Sequence, residues 1–106
     1  MKQLDLIWTA RASEELADII EGIYRASGHR RTADRYREKI LTTASRIAFS
    51  PEAGRARDDL ASGVRTWIFE RRLIIVYRIL AGQVRILRVV DGRRDYRRLF
   101  AGEAFT

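Results

Sequence analysis

An α+β domain in the order βααβββ, with a two-helix hairpin packed on a small, mainly antiparallel sheet, is the fold this sequence predicts. Three observations predict it. Two stretches between Thr9 and Ser50 repeat apolar residues at helical spacing. Three β-branched and aromatic runs follow between Val64 and Val90, parted by short turn segments. One short alternating run precedes the helices. The 106 residues suit one domain, 1–106, with a short basic tail from about position 93.

The first strand is read over Lys2 to Trp8, where Leu4 and Leu6 share one parity. Thr9 is placed to cap the first helix, and Glu14 and Glu15 put acids in its first turns. Its face is Ala12, Leu16, Ile19, Ile23 and Ala26, in steps of three and four, and Gly28 is the stop signal. Thr32 can cap the second helix, whose face is Ala33, Tyr36, Ile40, Ala44 and Ile47. Ser50-Pro51 ends it. The link between the helices is so short that they should lie side by side and antiparallel.

From Pro51 to Gly63 the composition is that of a loop, with room for a helical turn at Asp58 to Ala61. The strands then read VRTWIF (64–69), LIIVYRI (73–79) and VRILRVV (84–90). Glu70-Arg71-Arg72 and Leu80 to Gln83 are their hairpin connections. In the middle strand Leu73, Ile75, Tyr77 and Ile79 share one face, and Ile74, Val76 and Arg78 the other. A sheet with one wet face should show one clearly polar parity. Here the second parity mixes aliphatics with arginine. Either the C-terminal tail partly buries it, or it is a groove with an apolar floor and cationic posts.

Composition excludes several chemistries. With no cysteine no Cys–His set can form, and with His29 the sole histidine an ordinary zinc site is not expected. No GxxxxGK[ST] or GxGxxG is present, so no cofactor is expected. No apolar run approaches membrane-spanning length, and the opening MKQLDLIW lacks the plan of a secretory signal. A cytoplasmic protein without a membrane partner is the expectation. The net charge is +7, and it sits in the second half: Gly54 to Thr106 hold 12 basic residues, all arginine, against 6 acids. Arginine forks onto carboxylates and phosphates, so an anionic partner is expected. The carboxylates Asp58, Asp59, Glu70, Asp91 and Asp95 all neighbour arginines, which favours structural pairing over a magnesium site. Arg65, Arg71, Arg72, Arg78, Arg88, Arg93 and Arg94, interleaved with Trp67, Tyr77 and Tyr96, match a single-stranded RNA platform in type. Glu70 is the one strand-linked candidate for a base.

The segments SPEAGRARDDL (Ser50 to Leu60), Gly63 with Arg65, IIVYRI (74–79) and GRRD (Gly92 to Asp95), in this order and spacing, resemble the ParE branch of the RelE/ParE superfamily of type II toxin–antitoxin modules. The likeness runs from Leu4 to about Leu99. It implies a small cytoplasmic toxin, associated with plasmid stabilisation, that poisons DNA gyrase without catalysis of its own. It implies neutralisation by a ParD-like antitoxin with a ribbon-helix-helix N-terminal part and a C-terminal segment that wraps the toxin. Operator DNA would be contacted only through that antitoxin. On this resemblance Arg93, Arg94, Arg97 and Arg98 are the candidates for target binding. Ile20, Tyr24, Leu41, Arg65 and Trp67 are those for antitoxin binding. RelE-like relatives instead cut mRNA on the ribosome, for which Arg65, Arg78 and Tyr96 would serve here. Asp91 stands where many relatives have histidine, which counts against that alternative. A plain nucleic-acid-binding module is the third reading.

Overall fold

The computed structural model describes residues 3–93. Its elements are β1 (Asp5–Trp8), α1 (Ala10–Ser27), α2 (Arg30–Phe49), β2 (Arg55–Ala56), β3 (Val64–Phe69), β4 (Leu73–Leu80) and β5 (Gln83–Asp91). The sheet order is β1-β5-β4-β3-β2, antiparallel except where β1 runs parallel to β5. The expected α+β architecture is therefore present, with one short strand, β2, in addition.

Thr9 caps α1 as expected. Its hydroxyl oxygen accepts from the Ala12 amide at 3.1 Å and its proton goes to the Leu87 carbonyl at 3.1 Å, so one side chain starts the helix and ties it to β5. Gly28 ends α1 with φ +72°, the left-handed conformation that glycine adopts without a Cβ penalty. α2 begins earlier than Thr32. His29 is its cap in extended conformation, without a side-chain bond. The Ser27 hydroxyl closes the turn before it, accepting from the His29 amide and donating to the His29 carbonyl. Only Gly28 and His29 separate the helices, and Thr32 is an exposed residue of the first turn.

The main core lies between the helices and the sheet. Ala12 and Leu16 from α1 and Ile40, Ala44 and Ile47 from α2 pack on Leu73, Ile75, Tyr77, Val84, Ile86 and Val89. The α2 face is as expected. The α1 face holds only at its start, because Ile23 is half-buried and Ala26 exposed. The opposite sheet face is also buried: Val64, Ile74, Val76, Leu87 and Val90 cluster there, with Leu60 and Ala61 of the preceding loop against them. The mixed parity of β4 is thus a second small core rather than an open groove. β5 serves both cores through a bulge. Val76 pairs with Arg88 and Tyr77 with Ile86, leaving Leu87 as the extra residue. The helix-facing residues Val84, Ile86 and Val89 accordingly step by two and then by three.

Glu15 does not act as a first-turn acid. It reaches the edge of β5 just past the last β1 pairing, Trp8 with Ile86. There its carboxylate accepts the Arg88 fork, at 3.0 Å from Nε and 2.7 Å from Nη2, and the Val89 amide at 3.1 Å. Arg88 is 4% exposed. It is a buried tie between α1 and the sheet, and not part of an open RNA platform.

Candidate functional site

The motif with the most specific spacing, Ser50 to Leu60, turns out to be a loop fixed by its own residues. The Tyr77 hydroxyl, fully buried on β4, donates to the Pro51 carbonyl at 2.7 Å and accepts from the Gly54 amide at 3.0 Å. Burial pushes the Tyr77 phenol up from its ordinary pKa, against the pull of the Gly54 hydrogen bond and the Arg65 charge. Arg65 donates from Nη1 to the carbonyls of Gly54 at 2.8 Å and Glu52 at 3.1 Å. Arg57, 7% exposed, forks onto Asp59 at 2.9 and 2.8 Å. Asp58 accepts from the Gly63 amide at 2.9 Å, and Arg78 donates to the Ser62 carbonyl. A single turn forms at Asp58 to Ala61, where the Leu60 and Ala61 amides both bond the Arg57 carbonyl, at 3.0 and 3.4 Å, without extending into a helix. The two-residue β2 precedes it, and the Arg57 amide bonds the Val64 carbonyl at 2.8 Å.

The candidates fall into separate patches. Ile20 and Leu41 come together in a cleft of about 390 Å³ between the outer faces of α1 and α2, with Trp8, Leu16, Ala17 and Arg37. Leu41 is 39% exposed, and Ile20 and Trp8 are half-buried against the core. Tyr24 lies one turn further along α1, outside that cleft, under the Arg30 guanidinium at 4.8 Å.

Arg65 and Trp67 belong to a second patch at the outer edge of β3. Arg55 pairs with Thr66, and there β2 stops. The Val64 carbonyl points toward β2, so by strand alternation the backbone of Ile68 points the same way. Among the described residues no strand meets it. The Ile68 side chain is 65% exposed, beside a recess that Trp67, Arg55 and Gly54 also line.

Arg93 marks the third patch. It forks onto Asp91 across Gly92, with Nη2 at 2.7 Å, and its amide bonds the same carboxylate at 2.9 Å. These hydrogen bonds, more than the nearby charge of Arg72, hold the Asp91 carboxyl at a pKa of about 2. Arg94, Tyr96, Arg97 and Arg98 lie outside the described residues. Nor do three His, Asp or Glu side chains gather as a metal site among the described residues.

The depressed Asp91 pKa predicts a pH dependence. A folded pKa below the unfolded value stabilises the fold above pH 4, and that contribution disappears as pH falls from about 4 to 2. Asp91→Asn should therefore be less stable than wild type at pH 6 and match it at pH 2. Urea midpoints at the two pH values check this, and an equal gap at both would refute it.

With this geometry in place, the comparisons with known proteins decide the family. A family model described as ParE toxin of type II toxin-antitoxin system, parDE, matches residues 6–96. The chain belongs to the ParE toxin family. Among solved structures, a chain from the chromosomal ParDE TA system of P. aeruginosa superposes with a TM-score of 0.73 at 23% identity. The match covers 84% of this chain and 96% of that one, and it shows the shared fold. No curated protein matches this chain. Within the ParE family frame, the resemblance read from Ser50 to Leu60 and from Gly63, Arg65 and Tyr77 rests on residues that build one loop.

Proposed function

We propose that this ParE-family toxin is neutralised by direct binding of a ParD-like antitoxin and that it acts on DNA gyrase, blocking replication from the cytoplasm. The observation that carries the first half is the cleft between the helices. Trp8, Leu16, Ile20 and Leu41 offer an apolar floor on the outside of a hairpin whose other side is already buried. An amphipathic helix of the antitoxin fits such a floor through residues spaced by three and four. An extended segment following it would find the open backbone of Ile68 and the Trp67 recess at the β3 edge. Operator DNA is then met only through the antitoxin.

Gyrase as the target is supported by family membership and by the state of the residues that a ribonuclease would need. Arg65 and Arg78 are bonded to carbonyls of the 50–63 loop. Asp91, with a pKa of about 2, has little drive to take a proton from a hydroxyl near neutral pH. The arginines from Arg93 onward remain the proposed contact with gyrase or its DNA.

Purified gyrase with supercoiled plasmid tests the target. Cleaved linear DNA should accumulate on adding the toxin and vanish on adding antitoxin. No effect on gyrase, with mRNA cleavage on translating ribosomes, would instead establish the RelE-like reading. For the antitoxin, Leu41→Asp should weaken the complex about tenfold or more, since it puts a charge on an apolar anchor. Tyr24→Asp, outside the cleft, should cost less. Titration calorimetry with the antitoxin's C-terminal segment reads both, and an unchanged Leu41→Asp affinity would move the helix site elsewhere.

A further inference from the structure

The outward side of α2 carries a second charged feature that the antitoxin cleft does not use. Arg35, Lys39, Thr42 and Arg46 follow one another at steps of four, three and four, which places them along a single stripe. From Arg35 to Arg46 the stripe spans about 16 Å of helix. All four residues are exposed. The stripe forms one wall of a groove of about 470 Å³, and Phe69 and Glu70, at the end of β3, form the other. Leu41 and Arg37 point to the other flank of α2, into the antitoxin cleft.

We infer that this stripe is a docking site for the phosphate backbone of duplex DNA. Three cations along one face of a straight helix match a line of phosphates on a convex duplex. A single strand would need aromatic faces to stack on. Here the two nearby rings are turned on each other, Tyr36 edge-on to Phe69 at 5.5 Å, and Phe69 is buried. Two acids, Glu38 and Glu70, line the groove beside the three cations. Glu70 meets Lys39 at 3.6 Å with both side chains about half exposed, a contact that a phosphate can replace at little cost. Glu70 itself sits in a turn with φ +49°, followed by Arg71 at φ +58°, a conformation that Asn-Gly would adopt with less strain. The choice of DNA over RNA rests on the gyrase reading, because a gyrase poison works beside duplex DNA. The groove and the antitoxin cleft have separate linings on α2.

The test is fluorescence anisotropy of a labelled 20-base-pair DNA duplex with the full chain, without gyrase, across a salt series. The triple variant Arg35→Gln, Lys39→Gln, Arg46→Gln should lose at least tenfold in affinity at low salt. Its slope of log K against log salt should fall by about 0.9 for each phosphate contact removed. Glu70→Gln should bind a few-fold more tightly, since it frees Lys39. A control that removes the same charge elsewhere, Arg11→Gln, Arg25→Gln, Arg31→Gln, should change affinity less than twofold. Equal losses in both triple variants would mean diffuse attraction and overturn the site. So would tighter binding to an RNA duplex of the same sequence, or no binding by the wild type. Because gyrase is absent, these outcomes do not depend on whether gyrase is poisoned. Retained antitoxin affinity shows that the triple variant is folded.

Discussion

Replacing Glu15 by alanine is expected to destabilise the fold by about 3 kcal/mol or more. The reason is the partner it leaves behind. Arg88 is 4% exposed, and a guanidinium does not lose its charge near neutral pH to escape burial. Removing Glu15 takes a forked carboxylate away from that charge and also orphans the Val89 amide, which donates to the same carboxylate. Breaking a buried pair from one side typically costs about 3–5 kcal/mol. The lower end applies because the Glu15 side chain is 21% exposed and water can reach the gap. For a domain of this size such a loss lowers the melting temperature by roughly 12 °C or more. Urea denaturation should show a lower midpoint with an unchanged slope. The double replacement Glu15→Met, Arg88→Met should recover much of the loss, because two packed apolar chains need no ion partner. If Glu15→Ala lowers the unfolding free energy by under about 1 kcal/mol, the reading of Arg88 as a tie between α1 and β5 is wrong.

That pair also shows where sequence reasoning stops. Glu15 and Arg88 are 73 positions apart, and no periodicity links them. What is legible is local. The α2 face, the Thr9 cap, the Gly28 stop and the three long strands all follow from spacing and turn residues, and each is present. β2 is missing from the sequence reading because two residues carry no alternation. The α2 start is misplaced because His29 caps it through extended backbone alone, without the side-chain bond that a capping residue signals. The bulge at Leu87 hides in VRILRVV, where a strict period of two assigns the later residues to the wrong faces.

The candidate site divides in the same way. Ile20 and Leu41 meet because both lie off the core stripes of adjacent antiparallel helices, which helical spacing alone can show. Arg65 and Arg78 read as free cations on a sheet, since a sequence does not reveal that the 50–63 loop folds back and offers them its carbonyls. Arg57 was equally hidden, a buried side chain in what reads as a charged turn. The signal for all three was their place within or beside a motif of fixed spacing. Such spacing marks geometry, and here the geometry is that of a loop held to the sheet rather than of a catalytic centre.

Gly54 is where that loop is most sensitive, and Gly54→Ala is expected to cost about 3–5 kcal/mol. A Cβ built there would lie 2.1 Å from the Tyr77 hydroxyl oxygen and 2.8 Å from two of its ring carbons. The ring has nowhere to go, since Tyr77 is fully buried in the main core. Overpacking a core costs roughly 1–3 kcal/mol. The loss of the Gly54 and Pro51 hydrogen bonds adds about 1 kcal/mol each when buried groups are left unpaired. Tyr77→Phe alone should cost about 1–3 kcal/mol, by orphaning those two backbone groups. Combined, the two changes should not add. Removing the hydroxyl removes the closest clash, so Gly54→Ala, Tyr77→Phe should be more stable than the sum of its parts by at least about 1 kcal/mol. A double-mutant cycle in urea reads this coupling directly. Strict additivity would mean that the loop yields to the new methyl group without moving Tyr77. It would also mean that the tyrosine is there to fill space and not to anchor the loop. The same cycle carries a functional consequence. Arg65 bonds the Gly54 carbonyl, and Trp67 shares its recess with Gly54, so a displaced loop should disturb the β3 edge and leave the α1–α2 cleft intact. Antitoxin binding by Gly54→Ala should therefore weaken only through the extended part of the partner. A peptide limited to the partner's helix should bind the variant and the wild type alike.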